Sequence, residues 1–172
     1  MASHAAKSPA EAATAIFAGL AERDLTVSEE MCAPDYVADF VAVGVFKGRE
    51  AIRQHFEQLF AAFPDFDIVA DRVVSDDRTA VVQWRAGGTF NGEPFQGIEA
   101  TRRRVELRGV DVMEFDNGIL QHNMIYYDGA TFARQIGLLP APGSIADKAI
   151  QAGFNARTKA LRLLRRRSAA RP

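Results

Sequence analysis

The sequence predicts an α+β fold, with helices first and a curved antiparallel sheet second. Three segments with apolar residues at helical spacing come first, and segments rich in β-branched and aromatic residues follow, separated by turn residues. A length of 172 residues and a hydrophobic content of 48% fit one domain with a core large enough to line a cavity. We expect that cavity between the helices and the sheet that they cover.

Capping patterns predict the first two helices. Ser8 can cap the first helix, Pro9 fits its first turn, and Glu11 can complete a capping box. Thr26 and Glu29 repeat this spacing before a short second helix. Residues 36–45 then have the composition of a strand.

The third helix, at residues 49–63, has an apolar side and a polar side, and we place His55 on the polar side. A two-residue turn at Asn91-Gly92 is expected to join two of the strands that follow. These strands are predicted at residues 66–74, 79–90, 100–115 and 120–128.

The turn at residues 116–118 decides which side chains share a face with Asp111. A two-residue turn would set Asp111 opposite Met124, whereas a three-residue loop would set it opposite Asn123. We favour the loop. The expected cavity wall is then Trp84, Val105, Leu107, Asp111, Met113, Asn123, Ile125 and Tyr127.

Asp111 is the leading candidate for a functional group, because a charge between apolar strand residues is costly unless it is paired or used. Burial raises a carboxyl pKa, so Asp111 could be a base poised near neutrality or a neutral acid. Alternatively, it only fixes the hairpin by bonding to Asn123 or Tyr127. Asp39 is a second candidate for a cavity carboxylate, and Tyr36 is expected in the core beside the ligand rather than as a catalytic group.

Asp128 precedes a short predicted helix that ends at Gly137, so we expect it to be mainly a helix cap. His4, His55 and His122 do not form a metal-binding set. Motifs for zinc proteases, phosphate-binding loops and serine nucleophiles are absent from the sequence, so we expect no cofactor and no metal. The arginines at residues 102–104 could clamp an anion, although a solvated strand is the simpler account.

The net charge of −1 conceals a basic C-terminal end. Residues 145–172 contain eight Lys or Arg residues and one acidic residue, Asp147, and their apolar positions recur at helical spacing. We expect an amphipathic helix that docks on its own acidic domain, with an anionic membrane or nucleic acid as alternatives. The segment lacks interleaved aromatic residues, which disfavours nucleic acid.

We therefore divide the chain into a disordered end at 1–7, a domain at 8–140 and a basic helix and tail at 141–172. A single cysteine, Cys32, excludes an internal disulfide. The sequence contains no secretion signal and no apolar run long enough to span a membrane, so a cytoplasmic location is expected.

Several short segments spread over residues 9–140 together form a pattern that is fairly specific for one family: 33–36, 46–50, 63–65, Trp84, Gly97, 100–101, 108–112, 117–118, Asp128 and 134–137. In these segments the chain resembles the SnoaL-like polyketide cyclases, a branch of the nuclear transport factor 2-like superfamily. The resemblance implies a cone-shaped α+β barrel that is often dimeric through the outer face of the sheet. It also implies a hydrophobic pocket that needs no cofactor.

The resemblance also bears on single residues. The cyclases carry a histidine and an acidic residue at the positions of Asp111 and Ile125, and the related epoxide hydrolases need an aspartate at Ile125 and an arginine near Trp84. Ketosteroid isomerases have an aspartate that donates to the oxyanion in a context similar to that of Asp111, and their base matches Asp39 within one residue.

Our hypothesis is an enzyme that transfers a proton next to a carbonyl of a hydrophobic, polyketide- or steroid-like substrate, giving cyclisation, isomerisation or dehydration. Asp111 would be the acid or oxyanion donor, Asp39 the base, and Trp84 a wall, while Asn123 and Tyr127 orient the substrate. The alternatives are a non-catalytic binding protein, an epoxide hydrolase-like enzyme, and a scaffold that acts through its basic tail.

Overall fold

The computed structural model describes residues 7–169, so most of the predicted disordered end and the last three residues lie outside the described part. The helices are α1 (Pro9–Glu22), α2 (Leu25–Met31), α3 (Arg49–Ala62), α4 (Gly129–Gln135) and α5 (Ile145–Ala169). The strands are β1 (Cys32–Phe40), β2 (Gly44–Lys47), β3 (Asp67–Ser75), β4 (Thr79–Thr89), β5 (Arg104–Asp116) and β6 (Ile119–Tyr127).

The six strands form one sheet in the order β2-β1-β6-β5-β4-β3. The sheet is curved but not closed, since β2 and β3 are its edges, and this arrangement confirms the predicted α+β cone. One part of the prediction is wrong: β1 pairs with β6 in parallel, so the sheet is mixed rather than antiparallel. Parallel pairing requires a long crossover connection, and here the chain between β1 and β6 contains α3 and four strands.

Local capping signals define the first helices. Ser8 Oγ accepts a bond from the N–H of Glu11 at 3.3 Å, and Glu11 Oε2 accepts from the N–H of Ser8 at 2.9 Å, as predicted for a capping box. The second helix is capped by Asp24 rather than Thr26, because the Asp24 carboxylate accepts bonds from both the N–H and the hydroxyl of Thr26. The strand expected at 36–45 is in fact two strands, β1 and β2, which pair around a turn.

The loop between β4 and β5 differs from the predicted hairpin. Val82 pairs with Asp111, and residues 90–103 connect the two strands in place of a two-residue turn at Asn91-Gly92. The N–H groups of Gly92 and Glu93 instead donate to the carbonyls of Ala62 and Ala61, each at 3.0 Å. The carbonyls at the end of α3 lack helical partners, and this loop satisfies two of them.

The turn between β5 and β6 is the two-residue form rather than the favoured three-residue loop, and the register beyond it differs from both predictions. Asn117 and Gly118 have positive φ angles of 49° and 78° and form a two-residue turn, and a bulge follows in β6. As a result Asp111 pairs with Ile125, rather than with Asn123 or Met124. The predicted register was wrong, yet the predicted face was right, because the error was an even number of residues.

Two apolar clusters form the core. The larger one packs α1 and α2 against the inner face of the sheet, and the smaller one lies at the end of α3. Val105 belongs to the smaller cluster, so it is not part of the cavity wall as predicted. His55 is buried rather than on a polar helix side, and its ring contacts the rings of Phe40 and Phe46.

The C-terminal helix α5 was correctly predicted, but its expected docking is not found. Ile150, Phe154 and Leu161 are exposed, with 67% of Phe154 accessible to solvent. The apolar stripe of α5 therefore has no cover in the described part of the chain. None of the helices at residues 7–169 is long and apolar enough to cross a membrane.

Candidate active site between the helices and the sheet

A cavity of about 140 Å³ lies between the first three helices and the inner face of the sheet. An apolar cavity of about this size holds a benzene ring in other proteins. Most of the wall is aliphatic or aromatic, and its polar members are few. The predicted wall residues that line it are Trp84, Leu107, Asp111, Met113, Asn123, Ile125 and Tyr127.

Asp111 is the polar centre of this cavity. Its Oδ1 accepts a hydrogen bond from Trp84 Nε1 at 2.7 Å, and its Oδ2 accepts one from Asn123 Nδ2 at 2.7 Å. The carboxylate is only 7% exposed. The three residues meet because β4, β5 and β6 are neighbours and all three side chains point to the inner face.

Burial sets the acidity of Asp111. Desolvation raises the pKa of this carboxyl to about 6, although the bonds from Asn123 and Trp84 act in the opposite direction. Removing a carboxylate from water disfavours its charged form, whereas donors stabilise that form. A base with a pKa near neutrality can both accept and release a proton at physiological pH.

Asn123 has one atom without a partner. It is 6% exposed, and its Oδ1 has no hydrogen-bond partner among the residues that the structure describes. Most buried polar atoms in proteins do have a partner, so an orphaned acceptor in a cavity wall needs an explanation.

Two tyrosines also line the cavity. Burial raises the pKa of Tyr36 well above its usual value, and the nearby carboxylate of Asp111 acts in the same direction. Burial raises the pKa of Tyr127 as well. Both phenols therefore keep their protons. Neither hydroxyl takes part in the hydrogen bonds found within residues 7–169, so each can donate to a ligand oxygen.

Asp39 is not part of the cavity, which corrects the expectation of a second carboxylate there. Tyr36, Ala38 and Phe40 of β1 are buried on the inner side, and Asp39 alternates with them. It pairs with Val45 of β2 and with Met124 of β6, and the cavity wall does not include it.

The apolar part of the wall lies next to Asp111. Ile125 is its partner across β5 and β6, and Met113 follows two residues later on the same face of β5. Both side chains are buried. Among the wall residues that the structure describes, Asp111 is the acidic one, and an apolar residue rather than a second carboxylate lies opposite it.

His55 also lines the cavity, although its position in the sequence predicted the polar side of α3. Burial lowers the pKa of His55 to about 4, so its imidazole is neutral at physiological pH. The signal was present in the sequence, because His55 lies three residues after Ile52 and one before Phe56 on α3. Cys32 lines the cavity too, but burial raises its pKa to about 12 and keeps the thiol protonated.

Asp128 is a helix cap, as predicted, and lies outside the cavity wall. Its Oδ1 accepts from the N–H groups of Ala130 and Thr131, and its Oδ2 accepts from the Thr131 hydroxyl at 2.6 Å. Arg104 forms ion pairs with Asp65 and Glu106, which fits a solvated strand better than an anion clamp. Across residues 7–169 the structure holds no group of three potential metal ligands.

The profile of the SnoaL-like polyketide cyclases matches residues 10–136. The chain belongs to this family. The resemblance seen in the sequence is therefore confirmed, and the family profile spans the three helices, the sheet and the capped helix α4. No curated protein sequence is significantly similar to this SnoaL-like chain.

Solved structures share the fold of this SnoaL-like protein. A proposed SnoaL-like polyketide cyclase from Jannaschia sp. CCS1 is 21% identical, with 81% of this chain and 99% of that chain covered and a TM-score of 0.70. IdmH, a proposed polyketide cyclase from Streptomyces antibioticus, is 21% identical, with coverages of 76% and 99% and a TM-score of 0.65. An LEH-like epoxide hydrolase from M. tuberculosis is 15% identical, with coverages of 74% and 88% and a TM-score of 0.60.

Proposed function

We propose that this SnoaL-like protein is an enzyme that moves a proton at a carbon next to a carbonyl group of a hydrophobic substrate. Cyclisation, isomerisation or dehydration would follow from the resulting enolate. The observation that carries the proposal is the buried carboxylate of Asp111, whose pKa is about 6, in the wall of an apolar cavity. A carboxylate of this kind is suited to general base catalysis near neutral pH.

Asp111 fits the role of base better than the role of acid or oxyanion donor that its sequence context suggested. The carboxylate of Asp111 is the acceptor in both of its hydrogen bonds, which Trp84 and Asn123 donate. The indole N–H of Trp84 can only donate, so this bond cannot be reversed. These contacts stabilise the ionised form. A protonated Asp111 would need an acceptor for its own proton, which the present orientation of the Asn123 amide does not offer.

The tyrosines supply the complementary group. An enolate oxygen needs a donor that keeps its proton, and the Tyr36 and Tyr127 hydroxyls meet this requirement. Tyr36 is near enough to Asp111 for the carboxylate to influence its pKa. The carbonyl of a substrate would thus bind to a phenol while the neighbouring carbon faces Asp111.

The test is exchange of the α-protons of a single-ring hydrophobic ketone, cyclohexanone, for deuterium in D₂O, followed by NMR. We expect the wild-type protein to accelerate exchange and Asp111→Asn to lose about 10²-fold or more of that acceleration. Asp39→Asn is the matched control, because Asp39 is a carboxylate outside the cavity, and it should keep the wild-type rate. Equal rates in Asp111→Asn and wild type would remove the catalytic assignment.

A non-catalytic ligand-binding protein is the second candidate. Ile125, an apolar residue, is the partner of Asp111 across the hairpin, so the cavity has a single aspartate where two acidic groups would serve an acid and a base. Binding of cyclohexanone by the wild type without accelerated exchange would favour this candidate. The same apolar residue argues against the epoxide hydrolase alternative.

We also propose that the protein is a homodimer that pairs through the outer face of the sheet. Val81 of β4 and Tyr126 of β6 are exposed on this face, where Val110, Val112 and Met124 are half-buried. A contiguous exposed apolar surface of this kind is typical of an interface. Two copies related by a twofold axis would cover it symmetrically.

The basic helix α5 supports a separate role in binding an anionic membrane surface. Its exposed apolar residues Ile150, Phe154 and Leu161 recur at helical spacing, and the same helix carries most of the basic residues of the tail. Helices of this kind insert an apolar face between lipid headgroups while the basic residues bind anionic lipids. The apolar face of α5 could also be covered by α5 of a second copy, but this pairing would bring the basic residues of the two helices together and they would repel each other.

A further inference from the structure

We infer that Asn123 selects ligands by offering a hydrogen-bond acceptor, so that the preferred ligand carries a hydroxyl group at this point of the cavity. This inference rests on the proposed function in one respect, that the cavity is the substrate site. It adds that the substrate carries a hydroxyl group. Asn123 Oδ1 is the buried side-chain oxygen without a partner in the described part of the chain.

The orientation of the Asn123 amide follows from its neighbour. An ionised carboxylate only accepts hydrogen bonds, so the amide must turn its NH₂ group toward Asp111, as the 2.7 Å distance from Nδ2 to Oδ2 shows. The amide oxygen then faces away from Asp111. Reversing the amide would place Asn123 Oδ1 next to Asp111 Oδ2, and two acceptors repel each other. Asn123 Oδ1 is therefore fixed in an orientation in which it has no donor.

A ligand that is only a ketone cannot satisfy this oxygen. A ketone offers another acceptor, whereas a hydroxyl, enol or phenol offers the missing donor. The phenols of Tyr36 and Tyr127 can donate to a carbonyl elsewhere in the same cavity. The wall is therefore complementary to a hydrophobic compound that carries both a hydroxyl and a carbonyl.

The effect is measured by binding of two single-ring probes, p-cresol and 4-methylanisole, in NMR titrations at pH 8. p-Cresol has a hydroxyl group that can donate a hydrogen bond, whereas 4-methylanisole has a methyl ether in its place and cannot donate. Both have a single ring, which suits a cavity of about 140 Å³. We expect the wild type to bind p-cresol about tenfold more tightly, as one hydrogen bond to a buried acceptor allows. The double variant Asp111→Leu/Asn123→Leu, which removes both side-chain acceptors from this part of the wall, should bind the two probes about equally.

Asp111→Asn provides a second variant that keeps the packing of the wall. The Trp84 N–H can only donate, so it fixes the oxygen of the new amide at its own side, and the NH₂ group then faces residue 123. The Asn123 amide has to reverse and present its NH₂ group to the ligand. The preference for p-cresol should therefore disappear or turn toward 4-methylanisole, whose oxygen accepts.

Three outcomes would overturn the inference. These are equal binding of the two probes by the wild type, an unchanged preference in Asp111→Leu/Asn123→Leu or in Asp111→Asn, and no binding of either probe. Because the readout is binding alone, it is independent of proton exchange. A wild type that prefers p-cresol but does not accelerate exchange would retain the acceptor role of Asn123 and remove the proposed catalysis.

Discussion

The indole ring of Trp84 lies against Gly109, its partner across strands β4 and β5. A Cβ atom at residue 109 would lie 2.2 Å from Cζ2 of the indole, which is closer than any real contact. The glycine therefore leaves the space that the ring occupies while its N–H reaches Asp111. Gly109, which has no side chain, thus positions the Trp84 N–H that donates to Asp111.

Gly109→Ala should displace the indole and weaken its bond to Asp111. We expect a loss of about 1–3 kcal/mol of unfolding free energy, as in other overpacked cores. The pKa of Asp111 should rise further, because the Trp84 bond lowers it. Trp84 is the single tryptophan of the chain, so its fluorescence during urea unfolding reports both the site and stability.

The matched control is Gly153→Ala in helix α5, where an added Cβ meets no atom within 4 Å. It should leave the fluorescence unchanged, with equal or greater stability because alanine favours helices. Wild-type fluorescence and stability in Gly109→Ala would contradict the close approach of the ring.

Asp111→Asn should make the protein more stable at neutral pH. The folded pKa of about 6 lies above the ordinary value of 3.8, so folding disfavours the charged form. The resulting penalty is absent below about pH 4, grows as pH rises, and is complete above about pH 6, where it costs on the order of 3 kcal/mol. The variant removes it.

Urea unfolding of wild type and Asp111→Asn at pH 4 and pH 8 tests this. The difference between the two proteins should be large at pH 8 and small at pH 4. His55 also titrates in this range, since burial lowers its pKa to about 4, but it is present in both proteins and its contribution cancels. A difference independent of pH would show that Asp111 is not desolvated.

Asp128→Ala should affect the stability of helix α4 and leave proton exchange intact. Asp128 accepts from two backbone N–H groups and from the Thr131 hydroxyl, and it lies outside the cavity wall. Loss of a helix cap of this kind lowers Tm by about 2–4 °C in a chain of this size. Asp128→Asn, which keeps an acceptor, should be close to wild type. A large loss of proton exchange in both Asp128→Ala and Asp128→Asn would show that Asp128 takes part in the reaction and is not only a helix cap.

Tyr126→Glu should convert the proposed dimer into a monomer. Tyr126 is 43% exposed on the outer face of the sheet, and a buried unpaired charge opposes association. Sedimentation velocity gives the oligomeric state directly. Leu138→Glu is the control, since Leu138 is also an exposed apolar residue, 60% accessible, but follows helix α4 and lies outside the sheet. A wild-type monomer, or a Tyr126→Glu dimer, would argue against this interface.

Phe154→Glu should reduce binding to vesicles that contain phosphatidylserine. Phe154 is an exposed apolar residue of α5, and a carboxylate there opposes both insertion and attraction to anionic lipid. Flotation with neutral phosphatidylcholine vesicles is the lipid control, and Ala152→Glu, exposed on the opposite face of the same helix, is the charge control. Absence of wild-type binding to anionic vesicles, or equal loss in both variants, would remove the proposed role.

Local patterns were sufficient to predict much of the fold. The capping box at Ser8 and Glu11 and the cap at Asp128 depend on residues three apart, and both are confirmed. The face shared by Asp111, Asn123 and Ile125 was also predicted correctly, because alternation along a strand has a period of two and survives an even error in register.

The sequence by itself determined the type and order of most elements, the caps at Ser8 and Asp128, and the side chains that share the face of Asp111. Tertiary contacts decided the rest: the parallel pairing of β1 with β6, the loop at Gly92 that completes α3, the burial of His55 and the exclusion of Asp39. The unpartnered oxygen of Asn123 belongs to this second group, since it results from two strands that meet at Asp111. Caps and strand faces depend on residues a few positions apart, whereas register, burial and hydrogen-bond orientation depend on atoms brought together only by folding.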